Sequence, residues 1–208
     1  MIACSSDRGL CGAIHSSVSK FVKKAVIEAP TAKVVVLGDK AKPQIARGAR
    51  NNIVMSFNQI GKDIPTFTDA LDVAQLLLQN GEGESKSLIA ESNDISVVYN
   101  AFRSVIAYET TTLTVPNEER LALMPNLAQY EYDSDILQAY SQFLLASQIF
   151  TGLVEGHASE MSAKRMAMEN ASKNSDEIVL ALTMQYNRTR QAVITNELVD
   201  IITGASAL

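Results

Sequence analysis

Two stretches of the chain bring together side chains able to do chemistry. The first is Ser5-Ser6-Asp7-Arg8-Gly9-Leu10-Cys11-Gly12-Ala13-Ile14-His15, where a short apolar run gives way to a glycine-bearing turn and then a helix-like segment. A phosphate loop would need Gly-x-x-x-x-Gly-Lys-Ser/Thr or Gly-x-Gly-x-x-Gly, and neither spacing is present. Glycines making a tight turn account for the pattern. Cys11 and His15 stand four apart and would meet on one helical face as thiol and base. No third residue orients them, so nucleophilic catalysis is not expected. Asp7-Arg8 reads as a surface contact pair rather than an acid–base set. The second stretch is Arg188-Thr189-Arg190-Gln191, with two guanidinium groups in a neighbourhood otherwise poor in positive charge. On a helix Arg188 and Arg190 point about 200° apart and address different partners. Arg pairs bidentately with carboxylates, and Gln191 offers both donor and acceptor. A contact site and a solvated helix face both remain open here.

The composition bounds what these residues serve. Eighteen Lys+Arg against 23 Asp+Glu leave a net charge of −5 over 208 residues, which argues against a nucleic-acid partner held by phosphate neutralisation. With 47% hydrophobic residues the chain is not disordered, and without Trp its core must be mainly aliphatic. Cys4 and Cys11 make no disulfide scaffold and suit a reducing compartment. His15 and His157 lie far apart, so no metal site is expected, and no cofactor either. No apolar run reaches the roughly 18–20 residues of a membrane span, so direct membrane insertion is not expected. The N-terminus has no signal or transit pattern. Met1-Ile2-Ala3-Cys4 already reads as a strand, and a folded domain seldom opens in mid-strand, so a segment ahead of Met1 is expected.

Residues 1–133 alternate strand-like and helix-like stretches. A helix over Cys11–Glu28, stopped by Pro30, places Ile14, Val18, Phe21, Val22, Ala25 and Val26 inward. Lys33-Val34-Val35-Val36-Leu37-Gly38 reads as a strand whose continuous apolarity suggests burial on both faces, as in a parallel sheet. A short helix near Lys40–Arg47 and a strand at Ile53–Phe57 follow. The pattern over Thr66–Gln79 predicts a helix capped by Thr66 or Thr68, with Leu71, Ala74, Leu77 and Leu78 inward. Ile95–Tyr99 and Val105–Leu113 complete a β-α-β-α-β-α-β-β order. That order predicts an α/β, Rossmann-like, mostly parallel sheet.

After a connecting stretch over 116–132 the composition changes. From 134 to 208 there is no proline and only Gly152, Gly156 and Gly204. Asp133 or Ser134 is a fair N-cap, and one helix of about 110 Å at about 1.5 Å per residue is expected. Tyr140, Leu144, Ser147, Thr151, Val154, Ala158 and Met161 follow the four–three steps of a heptad seam. Small residues Ala163, Ala167, Ala171 and Ser172 come next, and the stripe resumes through Ile178, Leu182, Val193, Leu198, Ile201 and Ile202. After Asp200 the chain carries no charge to Leu208. Such an end is either tucked back or inserted into another protein. The chain therefore reads as two domains, 1–133 and 134–208. Asn170-Ala171-Ser172 and Asn187-Arg188-Thr189 match the glycosylation pattern but are discounted in a chain that does not look secreted.

Ser5 to Ser16 resembles the first strand-turn-helix of the γ-subunit family of F-type ATP synthase. Met168-Glu169-Asn170-Ala171-Ser172-Lys173-Asn174, Asn187 to Thr195, and Glu197 to Ala205 resemble that family's terminal helix. Gly38-Asp39-Lys40 and Pro65-Thr66-Phe67 fit more weakly. Ala13-Ile14-His15 and Ala171-Ser172-Lys173-Asn174 look like the mitochondrial branch, and the dithiol insertion of the chloroplast branch is absent. Family members open with a long helix that winds antiparallel around the terminal one, and nothing here matches it.

The resemblance implies a non-catalytic rotary shaft on the matrix side of the mitochondrial inner membrane. The α/β domain would be a foot on the membrane c-ring, beside the small δ and ε stalk subunits. The long helix, half of an antiparallel coiled coil, would stand inside the ring of α and β subunits. The resemblance further implies that Arg190 and Gln191 engage a β-subunit loop, that the Arg8 turn meets the β C-terminal domain, and that Ile201, Ile202 and Leu208 belong to a tip turning in an apolar collar. Two other classes compete: a coiled-coil tether carrying an α/β domain, and a stand-alone α/β nucleotide-binding enzyme. Symmetric dimerisation would mark the first and nucleotide binding the second.

An exposed seam without its antiparallel partner is an association surface. The 208-residue chain alone is expected to self-associate at micromolar concentration, as light scattering would report. A clean monomer would count against both the long helix and its missing partner.

Overall fold

The computed structural model describes residues 1–60, 62–79, 94–133 and 136–206, with Ala128 described by its backbone alone. Strands β1 (Ile2–Cys4), β2 (Val34–Leu37), β3 (Ile53–Phe57), β4 (Asp94–Ser104) and β5 (Ala107–Pro116) form one sheet in the order β3-β2-β1-β4-β5. The β1–β2, β1–β4 and β2–β3 pairs are parallel, and β4 with β5 is an antiparallel hairpin. The helices are α1 (Ile14–Glu28), α2 (Lys42–Ala49), α3 (Phe67–Gln79), a short α4 (Glu118–Ala122) and the 71-residue α5 (Ile136–Ser206). The expected α/β class, element order and single terminal helix hold. Ser134, one of the two expected N-caps, and Leu208 lie outside the described residues.

By internal contacts the chain forms two compact units, Met1–Arg165 and Met166–Leu208. The expected division at 133/134 followed composition; by contacts the first unit takes in α5 as far as Arg165.

In the first unit the pleat of β1 separates two cores. Ala3 joins Val18, Val22 and Val26 of α1, Ile45 and Ala49 of α2, and Val34, Val36 and Val98. Ile2 and Cys4 face the opposite way, onto Ala70, Val73, Ala74 and Leu77 of α3 and Leu145, Ala146, Ile149 and Leu153 of α5. Successive side chains of a strand point to opposite faces, so a three-residue strand serves both layers. The α1 helix begins at Ile14, not Cys11, because Gly12 has φ +64°, a left-handed conformation that ends any continuous helix before it. Its buried stripe is Ile14, Val18, Val22 and Val26, which leaves Phe21 38% exposed rather than inward. Leu71 is also outward, because the face of α3 that packs is centred on Ala70, Val73 and Leu77, about 100° around the helix. Thr66 caps α3: its Oγ1 accepts from the Asp69 N–H at 3.3 Å, and Asp69 Oδ2 accepts from the Thr66 N–H at 2.8 Å.

The buried face of α5 carries Leu145, Ala146, Ile149, Gly152, Leu153, Ser159 and Glu160. At about 100° per residue this face lies about 180° from the heptad stripe read from the sequence. Of that stripe Tyr140, Thr151, Val154 and Ala158 are exposed, while Leu144, Ser147 and Met161 are half-buried. The helix therefore has two apolar faces, one on the sheet and one open.

In the second unit every described residue from Met168 onward is exposed. Met168, Ser172, Ser175, Val179, Leu182, Tyr186, Thr189 and Val193 alternate four and three apart, the heptad spacing again. Thr183, Thr195 and Thr203 each donate a hydroxyl to the carbonyl four residues back, at 2.7–2.8 Å.

Two glycines separate backbone strain from side-chain crowding. Gly38 has φ +90°, and a Cβ there would stand 2.8 Å from the Ser5 carbonyl carbon and the Ser6 nitrogen. A Cβ at Gly152 would meet only side chains, Val97 Cγ1 at 3.1 Å and Cys4 Sγ at 3.2 Å, while the helix would gain about 1 kcal/mol of propensity. Gly38→Ala is expected to cost about 2 kcal/mol or more, and Gly152→Ala to stay within about 1 kcal/mol of the parent, in denaturant unfolding. Equal costs would refute the distinction.

Candidate functional site

The first site is the turn at the carboxyl end of β1. It is fastened to the end of β2: the Ser5 N–H donates to the Leu37 carbonyl at 2.8 Å, the Lys40 N–H to the Ser6 carbonyl at 3.2 Å, and the Asp39 N–H to Asp7 Oδ1 at 2.7 Å. Beyond it Leu10 has φ +65° and is 75% exposed. A bulky residue held left-handed in solvent carries strain of the kind that collects at contact and switch sites. Arg8 is half-exposed; its guanidinium donates to the Lys62 carbonyl and stands 3.8 Å from Asp63.

Cys11 and His15 do not form the thiol–base pair considered from the sequence. The His15 ring lies 3.0 Å from the Arg8 carbonyl through Nε2, which must donate there, and 3.1 Å from Ser5 Oγ through Nδ1. The Cys11 thiol donates to the Gly9 carbonyl at 3.1 Å and reaches Glu160 Oε1 at 3.6 Å. Burial pushes this thiol up to about 11; the charge of Glu160 and its hydrogen bond add to the rise, and Lys164 and Arg8 oppose it. Burial alone raises Cys4 to about 12. Glu160, 1% exposed, and Ser159, fully buried, were not anticipated. A single Glu or Ser in a long helix carries no signal of its own; the small residues Gly152, Gly156 and Ser159 at helical spacing were the available clue to a closely packed face.

Doubly wound sheets bind ligands where strand order reverses, here between the carboxyl ends of β1 and β4. The cavity there, between Ser6, Asn100, His157 and Glu160, measures about 20 Å³. That is room for about one water, against the ~300 Å³ or more of a small-molecule pocket.

The second candidate lies wholly in the second unit. Arg190 and Gln191 are exposed on α5, with no side-chain hydrogen bond or ion pair among the described residues. Ile201 and Ile202 are 71% and 57% exposed. The tip and the polar pair below it are thus free surface in this chain.

Raised thiols make a pH prediction. At pH 8 a thiol with the ordinary value of 9.0 is about one-tenth thiolate, and one at about 11 is about one-thousandth. Native Cys11 should react with iodoacetamide about a hundredfold more slowly than in the urea-unfolded chain. A group whose folded value is raised favours the fold below its unfolded value, so this contribution is complete below about pH 9 and lost as pH rises through about 11. Glu160→Gln should bring the onset of native labelling to lower pH. Native labelling at the unfolded rate would refute the buried pair.

Comparison with known proteins places these features. The chain matches the family described as ATP synthase over residues 1–208. It is 44% identical to the ATP synthase subunit gamma, mitochondrial, of Pichia angusta, over the whole chain and 75% of that relative. Against the Drosophila melanogaster subunit of the same name it is 43% identical, covering 68% of that protein. A chain in the Euglena gracilis mitochondrial ATP synthase structure of OSCP, F1 and c-ring shares the fold, with TM-score 0.81 at 18% identity over 99% of this chain and 71% of that one. The turn at Arg8, the five-stranded sheet and the long terminal helix are therefore those of a chain that belongs to the γ-subunit family of mitochondrial ATP synthase.

Proposed function

We propose that this chain is a central rotary shaft, coupling proton-driven turning of a membrane c-ring to conformational change at the catalytic β subunits of an ATP synthase. The observation that carries the reading is the match to the ATP synthase family across all of residues 1–208. The first unit acts as the foot against the c-ring and the small δ and ε stalk subunits. The exposed α5 of the second unit stands among the α and β subunits, and its open heptad face takes an antiparallel helix. Nucleotide chemistry belongs to β and not to this chain. The subunit works peripherally, on the matrix side of the inner membrane.

Within this reading Arg190 and Gln191 are a polar catch on one β subunit, and the Arg8 turn with strained Leu10 is the contact with a β C-terminal domain. Ile201, Ile202 and Leu208 turn in an apolar collar, where unpaired charges would be costly. Charge-assisted hydrogen bonds to carboxylates are worth about 1.5–3 kcal/mol each, enough to bias one rotary position and still break at the next. Arg190→Ala with Gln191→Ala in the assembled complex is expected to lower coupled ATP synthesis about tenfold with normal assembly. Unchanged hydrolysis and synthesis would end the catch and leave the shape of the shaft as the source of coupling.

A further inference from the structure

The β4 strand outruns its neighbour. Its pairing with β1 ends at Ala3 opposite Val98, so from Asn100 onward this edge of β4 has no strand beside it among the described residues. Backbone groups on such an edge need partners once they are covered. The α5 helix supplies two such partners on the edge and reaches the hairpin turn just beyond β4 with a third, through side chains four and three residues apart on one face. Glu155 Oε2 accepts from the Phe102 N–H at 2.8 Å, Ser159 Oγ donates to the Asn100 carbonyl at 2.9 Å, and Ser162 Oγ donates to the Val105 carbonyl. Asn100 is itself fixed on both sides, donating to the Ile14 carbonyl at 3.2 Å and accepting from Thr110 Oγ1 at 2.7 Å.

The apolar contacts of Leu145, Ile149 and Leu153 resist separation of helix and sheet, but they are non-directional. The close approach at Gly152 opposes a large turn of the helix about its axis, but small turns shift apolar contacts without a sharply defined optimum. Hydrogen bonds to fixed backbone groups have such an optimum, because distance and angle are both specified. The geometry points to Glu155, Ser159 and Ser162 as a torque latch. They are positioning residues that stop α5 turning about its own axis against the sheet, so that rotation imposed on the foot reaches the helix without slip. This role rests on the rotary reading above and adds to it the place where torque crosses from sheet to helix.

The test compares the assembled synthase carrying the parent chain, Glu155→Ala with Ser159→Ala, and Glu155→Gln, which keeps an acceptor for the Phe102 amide. ATP hydrolysis with the proton gradient collapsed reports the unloaded machine, and ATP-driven proton pumping against a rising gradient reports the loaded one. The double variant is expected to hydrolyse within about twofold of the parent while the gradient it sustains falls by at least half; Glu155→Gln should behave as the parent. Loss of both activities in proportion would mean a merely structural role and overturn the latch. So would parent-like pumping in a double variant whose Phe102 amide exchanges hydrogen faster. Should the double variant not assemble, Glu155→Ala alone carries the test, since it leaves the buried Ser159 bond in place; pumping equal to the parent's would again overturn the latch. A parent complex that neither pumps nor synthesises would instead overturn the rotary reading itself.

Discussion

At Gly152 the backbone of α5 lies against Cys4 and Val97 so closely that even a methyl group would be tight. This approach lets Leu145, Ile149 and Leu153 reach into the same core as Ile2, Cys4, Tyr99 and the α3 residues Val73 and Leu77. Truncating any of those three α5 side chains to alanine would cost about 2–5 kcal/mol. It also explains the small residue on the strand side: a larger side chain than Cys4 would push the helix off the sheet. The terminal helix is therefore an integral part of the first core for its opening turns, whatever the rest of it meets.

The same approach sets the electrostatics. Because α5 lies flush, Glu160 is carried out of solvent and set beside the Cys11 thiol, whose proton stays in place through the neutral range. The turn that bears Arg8 is held from behind by His15, Ser5 and the end of β2, while Gly9, Leu10, Gly12 and Ala13 are exposed and Arg8 is half-exposed. The chemistry-bearing types in this stretch thus serve to fix a loop that presents its other residues at the surface.

Much of this was legible in the residues. The valine run, the Pro30 stop, the capping Thr66 and the proline-free tail each name a local structure through a local cause, and Ile53–Phe57 matches the observed strand end for end. What stayed hidden was orientation. α5 carries two apolar faces about 180° apart, both at four–three spacing, and periodicity cannot say which one a sheet will take. Phe21 and Leu71 mislead for a related reason: large apolar side chains at the border of a stripe are counted inward until the packing partner is known. The partners of Arg8, namely the Lys62 carbonyl and Asp63, lie more than fifty residues away along the chain, and only the fold brings them together.

The hydroxyls of Thr183, Thr195 and Thr203 are turned onto their own helix. Each satisfies its donor within the backbone and leaves a methyl and the oxygen's acceptor lone pairs unengaged. The three lie at different angles around the helix, so a partner approaching it from any of these sides meets an acceptor and a methyl at each position but no free donor.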